Sequence, residues 1–209
     1  YRLPPSGFVF CCFNNSYKIS PEMFDCWMRI LAKVPGSVLW LIANDEVVQN
    51  NLRSEAGKRG IESTRLVFAE RIAYEEYLTR FQLADLFLDT FPFNAGTTAS
   101  DALWSGVPII TCSGDSLASR MAGSLLTAMG LPELITTSLP AYEALACKLA
   151  LEPQLLKTLR DRLVANRLTS GVFDTRRFCR KLESLFQAMM DQRCAGGGGG
   201  GPNTGCQSS

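Results

Sequence analysis

Histidine is absent from all 209 residues, which removes the commonest general base near neutral pH and the commonest metal ligand. Any chemistry in this chain is arranged without it. Excess charge is lacking too: 21 basic and 20 acidic residues leave a net charge of +1, so no bulk field favours nucleic acid or an anionic membrane as partner. A charged ligand has to be held locally. No uninterrupted apolar run reaches the roughly 18 residues that a membrane helix needs, and the opening YRLPPSG has neither an initiator Met nor a signal-like apolar core. The chain therefore reads as a piece of a longer soluble protein.

Metal and disulfide frameworks are missing as well. The eight cysteines fall at 11, 12, 26, 112, 147, 179, 194 and 206, with no CxxC pair and no dense short spacing, so neither a zinc site nor a disulfide scaffold is expected. Scattered thiols in a domain of this size fit a reducing cytoplasm.

What is present is alternation. FVFCCF (8–13), SVLWLI (37–42), RLVFA (65–69), LADLFLDT (83–90) and VPIITC (107–112) are apolar runs of strand length. Between them lie helical patterns over 21–34, 47–60, 74–81 and 98–106, the second and fourth stopped by Gly60 and Gly106, and a further helix follows over 116–129. Strands apolar throughout and separated by helices predict a parallel sheet covered on both faces, a doubly wound, Rossmann-like α/β domain. From Pro140 the pattern is helical, over 141–152, 153–168 and 174–192; these helices are expected to pack on the sheet or cross to an adjoining domain. Residues 1–193 are read as one lobe and the Gly-rich 194–209 as a disordered tail. Trp27, Trp40 and Trp104 all fall on apolar faces and read as core.

Ligands of such sheets bind beyond the carboxyl ends of the strands, which selects three loops: NNSYKIS (14–20), AERIAYEEY (69–77) and DTFPFNAGTTASD (89–101). None carries a GxGxxG fingerprint. The third places Gly96, Thr97 and Thr98 at a helix start, where unpaired backbone N–H groups favour an anion. Thr98 and Asp101 also fit the S/T-x-x-D/E capping box, which needs no ligand, so both readings stay open. Lys18, after an apolar strand and before a helix, is placed either to set a compact charge over a phosphate or to sit in solvent. The second loop offers Arg71, Tyr74, Tyr77 and Arg80; Glu75 and Glu76 are adjacent, point apart on a helix and form no facing carboxylate pair.

YKISPEMFDCWMRILAKVPGSVLWLI, QLADLFLDTFPFNAGTTASDALWSGVPIIT, LASRMAGSLL followed by GLPELI, and FDTRRFCRKLESLF occur in that order. Together they resemble the C-terminal catalytic lobe of the O-linked N-acetylglucosamine transferase family, closest in flavour to its bacterial, SPINDLY-like members. The resemblance implies the nucleotide-sugar lobe of a two-lobed GT-B glycosyltransferase, with UDP-GlcNAc as donor and a protein as acceptor. It implies Lys18 and Asn15 on the donor diphosphate, with Lys18 as the catalytic cation, and Thr97 and Thr98 also on the phosphates. It implies Asp101 on the ribose and Arg71 and Ile72 along the base, with Arg80 nearby. Where the family carries histidine, this chain has Gly96 before the threonine pair and Tyr77 beside the base; Tyr74 stands where a lysine faces the ribose. The resemblance implies inverting transfer without a metal or other cofactor, and no DxD motif is present to hold a divalent ion. The N-terminal lobe and the tetratricopeptide repeats of the family lie outside this sequence. Two alternatives stay open: a degenerate nucleotide-binding module without turnover, and a transferase using a GDP-sugar such as GDP-fucose.

Overall fold

The structure, a computed structural model, describes residues 3–196. The chain divides into two compact units, 1–170 and 171–209. The first begins with strand β1 (Val9–Cys12) and helix α1 (Pro21–Lys33), continues through β2 (Val38–Ile42), α2 (Glu46–Lys58), β3 (Leu66–Ala69) and α3 (Tyr74–Arg80), and then β4 (Leu86–Leu88) and α4 (Thr97–Trp104). β5 (Ile109–Cys112), α5 (Met121–Ala128), β6 (Ile135–Thr136), α6 (Leu139–Leu151) and α7 (Pro153–Asn166) complete it. The second unit holds α8 (Thr175–Gly196), in which Phe178, Leu182, Leu185 and Met189 recur at helical spacing. The expected Gly-rich tail begins inside the end of α8, and its part from 197 onward lies outside the described residues.

All six strands are parallel, in the order β3-β2-β1-β4-β5-β6. This is the expected doubly wound, Rossmann-like sheet, and its strand order reverses between β1 and β4. Right-handed crossovers on either side of that point send α1 and α2 to one face and α4 and α5 to the other. The strands are nearly continuous apolar runs because both faces are covered: Phe10, Leu39, Trp40, Phe87, Ile109 and Ile110 are all fully buried.

Local chemistry sets the helix starts. Ser20 accepts the Met23 N–H (3.2 Å) at the head of α1, with Pro21 in the first turn, and Asp45 accepts the Val47 N–H (2.8 Å) at the head of α2. Gly60 takes up φ +75° just beyond α2 and Gly106 φ +81° beyond α4, the left-handed stops that the glycines imply.

Several expectations are corrected. The short β6 lies beyond the last strand read from the sequence, and the helix expected from 116 begins at Met121. Ser116 and Ser119 instead bond to each other's backbone and hydroxyls in a turn. The strand expected over 83–90 shortens to Leu86–Leu88, because Phe81–Leu83 form a 3-10 turn. Trp27 and Trp40 are buried, but Trp104 is 41% exposed. It ends α4, whose buried face is made by Ala99, Ala102 and Leu103, and its ring lies under the Arg167 guanidinium (5.3 Å).

Candidate active site

The reversal between β1 and β4 opens a cleft of about 450 Å³ at the carboxyl end of the sheet. Its walls come from the three loops selected above: Phe13 to Lys18 after β1, Arg71 to Tyr77 after β3, and Gly96 to Asp101 at the head of α4. Asn15, Lys18, Arg71, Ile72, Tyr77, Gly96, Thr97, Thr98 and Asp101 all line it. Arg80 does not. Its side chain is 1% exposed, bonds the Glu70 carbonyl (2.8 Å) and lies below the Phe13 and Trp40 rings (5.7 and 5.8 Å), beside a separate groove along β3.

One region of the cleft is built for negative charge. Lys18 Nζ donates to the Asn94 carbonyl (3.1 Å) and sits 4.0 Å from the centre of the Phe93 ring. This holds the ammonium against the turn that leads into α4. That helix starts at Gly96 with no side-chain cap, so the N–H groups of its first turn are left for a ligand or water. A Cβ built on Gly96 would meet only the Met121 methyl at 3.5 Å; the glycine keeps the approach to these N–H groups open without being required by the backbone. Across the cleft Arg71 Nη2 donates to Asn15 Oδ1 (2.8 Å), and the Arg71 N–H donates to Asn44 (2.9 Å), which ties the first and second loops together.

The capping-box reading of Thr98 and Asp101 is overturned. The Thr98 hydroxyl donates to Asn14 Oδ1, and Asp101 Oδ1 accepts from the Tyr74 hydroxyl (2.9 Å). Both side chains are taken by distant residues, so neither closes on its own helix.

Asn14, missed as a site residue, organises this region. Its Nδ2 donates to Asp89 Oδ1 (3.3 Å) and Thr90 Oγ1 (2.8 Å). Because the carboxylate only accepts, the amide nitrogen must face it, which turns the amide oxygen toward Thr98. Asp89, also missed, is fully buried; it accepts the N–H groups of Thr90 (2.8 Å) and Ala95 (2.7 Å) and the Thr111 hydroxyl (2.7 Å). The cue for both was a polar residue directly ending an apolar strand at the point of reversal. Thr98→Val would leave the buried Asn14 oxygen without its donor. The expected cost is about 1 to 2 kcal/mol, to be read as a lower urea midpoint at unchanged m-value.

The other region is aromatic. Tyr74 and Tyr77 stack (6.1 Å, 27°), and Tyr77 in turn packs on Phe81 (5.2 Å) and Phe13 (6.0 Å). Asp101, a turn into α4 and 8% exposed, sits beside this pair. Burial raises its pKa, only partly offset by the Tyr74 hydrogen bond and by the nearby Tyr77 hydroxyl, which itself makes no hydrogen bond of standard geometry. Burial likewise pushes the Tyr77 hydroxyl far above its ordinary range, so it stays protonated. Among the described residues no three His, Cys, Asp or Glu side chains converge as metal ligands, and no helix is long and apolar enough to cross a membrane.

The sequence matches the description of glycosyl transferase family 41 over residues 1–182. The chain belongs to that family. Within family 41 it is 39% identical over 189 residues to the UDP-N-acetylglucosamine–peptide N-acetylglucosaminyltransferase of Caenorhabditis elegans, covering 90% of this chain and 16% of that protein. It is 40% identical over 197 residues to the probable enzyme of the same description, SEC, of Arabidopsis thaliana, covering 94% and 20%. To the probable SPINDLY enzyme of Hordeum vulgare it is 34% identical over 196 residues, covering 91% and 21%. The chain thus spans about a fifth of the length of these curated relatives. Among solved structures, a mutant of the O-GlcNAc transferase of Thermobaculum terrenum superposes with a TM-score of 0.87 at 32% identity, over 92% of this chain and 38% of that one. The resemblance read from the collinear motifs and the family found are the same.

Proposed function

We propose that this chain is the donor-binding half of an inverting, metal-independent glycosyltransferase that moves N-acetylglucosamine from UDP-GlcNAc to Ser or Thr hydroxyls of a protein. The observation that carries the reading is the order of groups along one cleft. Lys18 and the uncapped start of α4 offer cation and N–H donors, and Asp101 with the Tyr74/Tyr77 stack follows one helical turn on, about 6 Å away. That sequence of chemistries, anion site then hydroxyl acceptor then aromatic surface, matches a nucleoside diphosphate from phosphate to base. Relatives described as UDP-N-acetylglucosamine–peptide transferases supply the sugar and the acceptor class.

In the reaction the acceptor oxygen attacks the anomeric carbon from the face opposite UDP. The bond from that carbon to the β-phosphate oxygen breaks, and its electron pair leaves with the diphosphate. Lys18 and the α4 N–H groups stabilise this growing charge by position alone, the part a divalent ion plays elsewhere. The acceptor proton goes to a base supplied outside this chain, by the N-terminal lobe that the reading requires. Tetratricopeptide repeats for acceptor recruitment and a cytoplasmic setting complete the proposal.

Calorimetric titration of the full-length protein tests it. UDP is expected to bind at least about tenfold more tightly than GDP, a difference of about 1.4 kcal/mol, and transfer from UDP-GlcNAc is expected in the presence of an acceptor protein. Absence of UDP binding at millimolar concentration, or preference for GDP, overturns the donor assignment. UDP binding without transfer would select the degenerate module, for which Gly96 at the head of α4 is the relevant feature.

A further inference from the structure

We infer that Arg71 is a second cation for the donor diphosphate, brought from the loop after β3 to the loop that carries Lys18. The inference rests on the reading of the cleft as a nucleoside-diphosphate site. It moves the Arg71 side chain from the base, along which the resemblance puts that segment, to the phosphates.

The charged side chains that line the cleft are Lys18, Arg71 and Asp101. Asp101 is engaged by the Tyr74 hydroxyl (2.9 Å) at the aromatic end. Among the described residues neither Lys18 nor Arg71 forms an ion pair, whereas Arg29, Arg59 and Arg162 each hold a carboxylate. In a chain whose net charge is only +1, two cations without a carboxylate partner share one cleft. An anionic ligand supplies the missing charge. Each phosphate of a nucleotide-sugar carries one negative charge, so an ammonium and a guanidinium balance its diphosphate.

The course of the Arg71 side chain is set at both ends. Its backbone N–H donates to Asn44 Oδ1 (2.9 Å) and its Nη2 donates to Asn15 Oδ1 (2.8 Å). Asn15 heads the 3-10 turn Ser16–Lys18, and its carbonyl accepts the Lys18 N–H (3.0 Å). At about 2 Å of rise per residue that turn spans about 6 Å, with the guanidinium brought to its first residue and Lys18 at its last. The partner of Arg71 is thus on the Lys18 loop and not on α3, which carries the Tyr74/Tyr77 stack. The Asn15 bond uses one of the five guanidinium N–H donors and goes to a neutral amide. A bond to an ionised oxygen is roughly twice as strong, so a phosphate can draw the fork from Asn15 or share it. Because the side chain already extends across the cleft, part of its ordering cost is met before the donor arrives.

The test is titration of the full-length protein and its Arg71→Gln variant with UDP, and with uridine as a competitor of UDP, at about 50 mM KCl so that screening is weak. Glutamine removes the charge and keeps an amide that can still pair with Asn15, and circular dichroism checks that this exposed position tolerates it. Arg71→Gln is expected to weaken UDP about tenfold, the lower end of the range for a hydrogen bond to a charged group. Uridine, which has the base and the ribose but no phosphate, is expected to keep its affinity. If the variant weakens both ligands equally, Arg71 either lies on the base or only braces the two loops, and the proposal fails. An unchanged affinity for UDP overturns it as well. No binding of UDP by the unsubstituted protein is a separate result, which removes the nucleotide reading itself.

Discussion

Lys18→Ala in the full-length protein is expected to lower turnover about 10- to 150-fold. The figure follows from the 1.5 to 3 kcal/mol of a hydrogen bond to a charged group, if that bond strengthens as the diphosphate departs. The ammonium is already held at the turn before α4 by the Asn94 carbonyl and the Phe93 ring, so little reorganisation is needed when charge develops. An interaction made equally with bound donor and with transition state would raise KM alone; one that grows during bond breaking lowers kcat. The expected result is therefore a loss concentrated in kcat. Stability should change little, since a cation beside an exposed ring contributes about 0.5 to 1 kcal/mol. Lys18→Arg keeps the charge but spreads it over a planar fork that does not match the single contact to Asn94, so only partial recovery is expected. Unchanged kinetics for Lys18→Ala would take this residue out of the mechanism.

The parallel sheet was legible because its strands are apolar on both faces: FVFCCF and SVLWLI permit few other readings at that length. β6 was not, because Ile135 and Thr136 form too short a run to register as a period. The three loops of the cleft followed from the alternation alone, since a parallel sheet gathers the loops after its strands at one edge. What each side chain does there was less accessible. Thr98 and Asp101 have the spacing of a local cap, but their partners, Asn14 and Tyr74, lie 84 and 27 residues away. Local spacing carries no trace of such partners. Arg80 shows the same limit in the other direction. It is three residues beyond Tyr77 on the same short helix, yet its guanidinium runs under the loop to the Glu70 carbonyl and leaves the cleft to the two tyrosines. The collinear motifs identified the family where periodicity stopped at the fold class.

Asp89→Ala is expected to cost about 3 to 5 kcal/mol of stability, the range for removing one partner of a buried charged network. The substitution would leave the N–H groups of Thr90 and Ala95, the Asn14 amide and the Thr111 hydroxyl without their acceptor at the centre of the sheet. The same carboxylate shapes the turn that delivers Gly96 and Thr97 to the cleft, so on the proposed function the loss is expected to reach donor binding as well as folding. Asp89→Asn separates charge from packing. Burial raises the Asp89 pKa to about 6, only partly offset by the hydrogen bonds from Thr111, Ala95, Thr90 and Asn14, whereas an unfolded aspartate titrates near 3.9. The folded state therefore binds the proton more tightly, and between these two values the unfolded state carries fewer protons than the folded one. Stability from this group is fully present below about pH 4 and is lost as pH rises through about 6. A shift of about two pKa units corresponds to about 3 kcal/mol. Subtracting the urea-derived stability of Asp89→Asn from that of the unsubstituted protein, pH by pH, cancels the other titrating groups. The difference is expected to fall by about 2 kcal/mol from pH 4 to pH 7, the rest of the shift being lost below pH 4. A flat difference would mean that Asp89 is ionised across this range with its four donors fully compensating its burial, and a rising one that they overcompensate it.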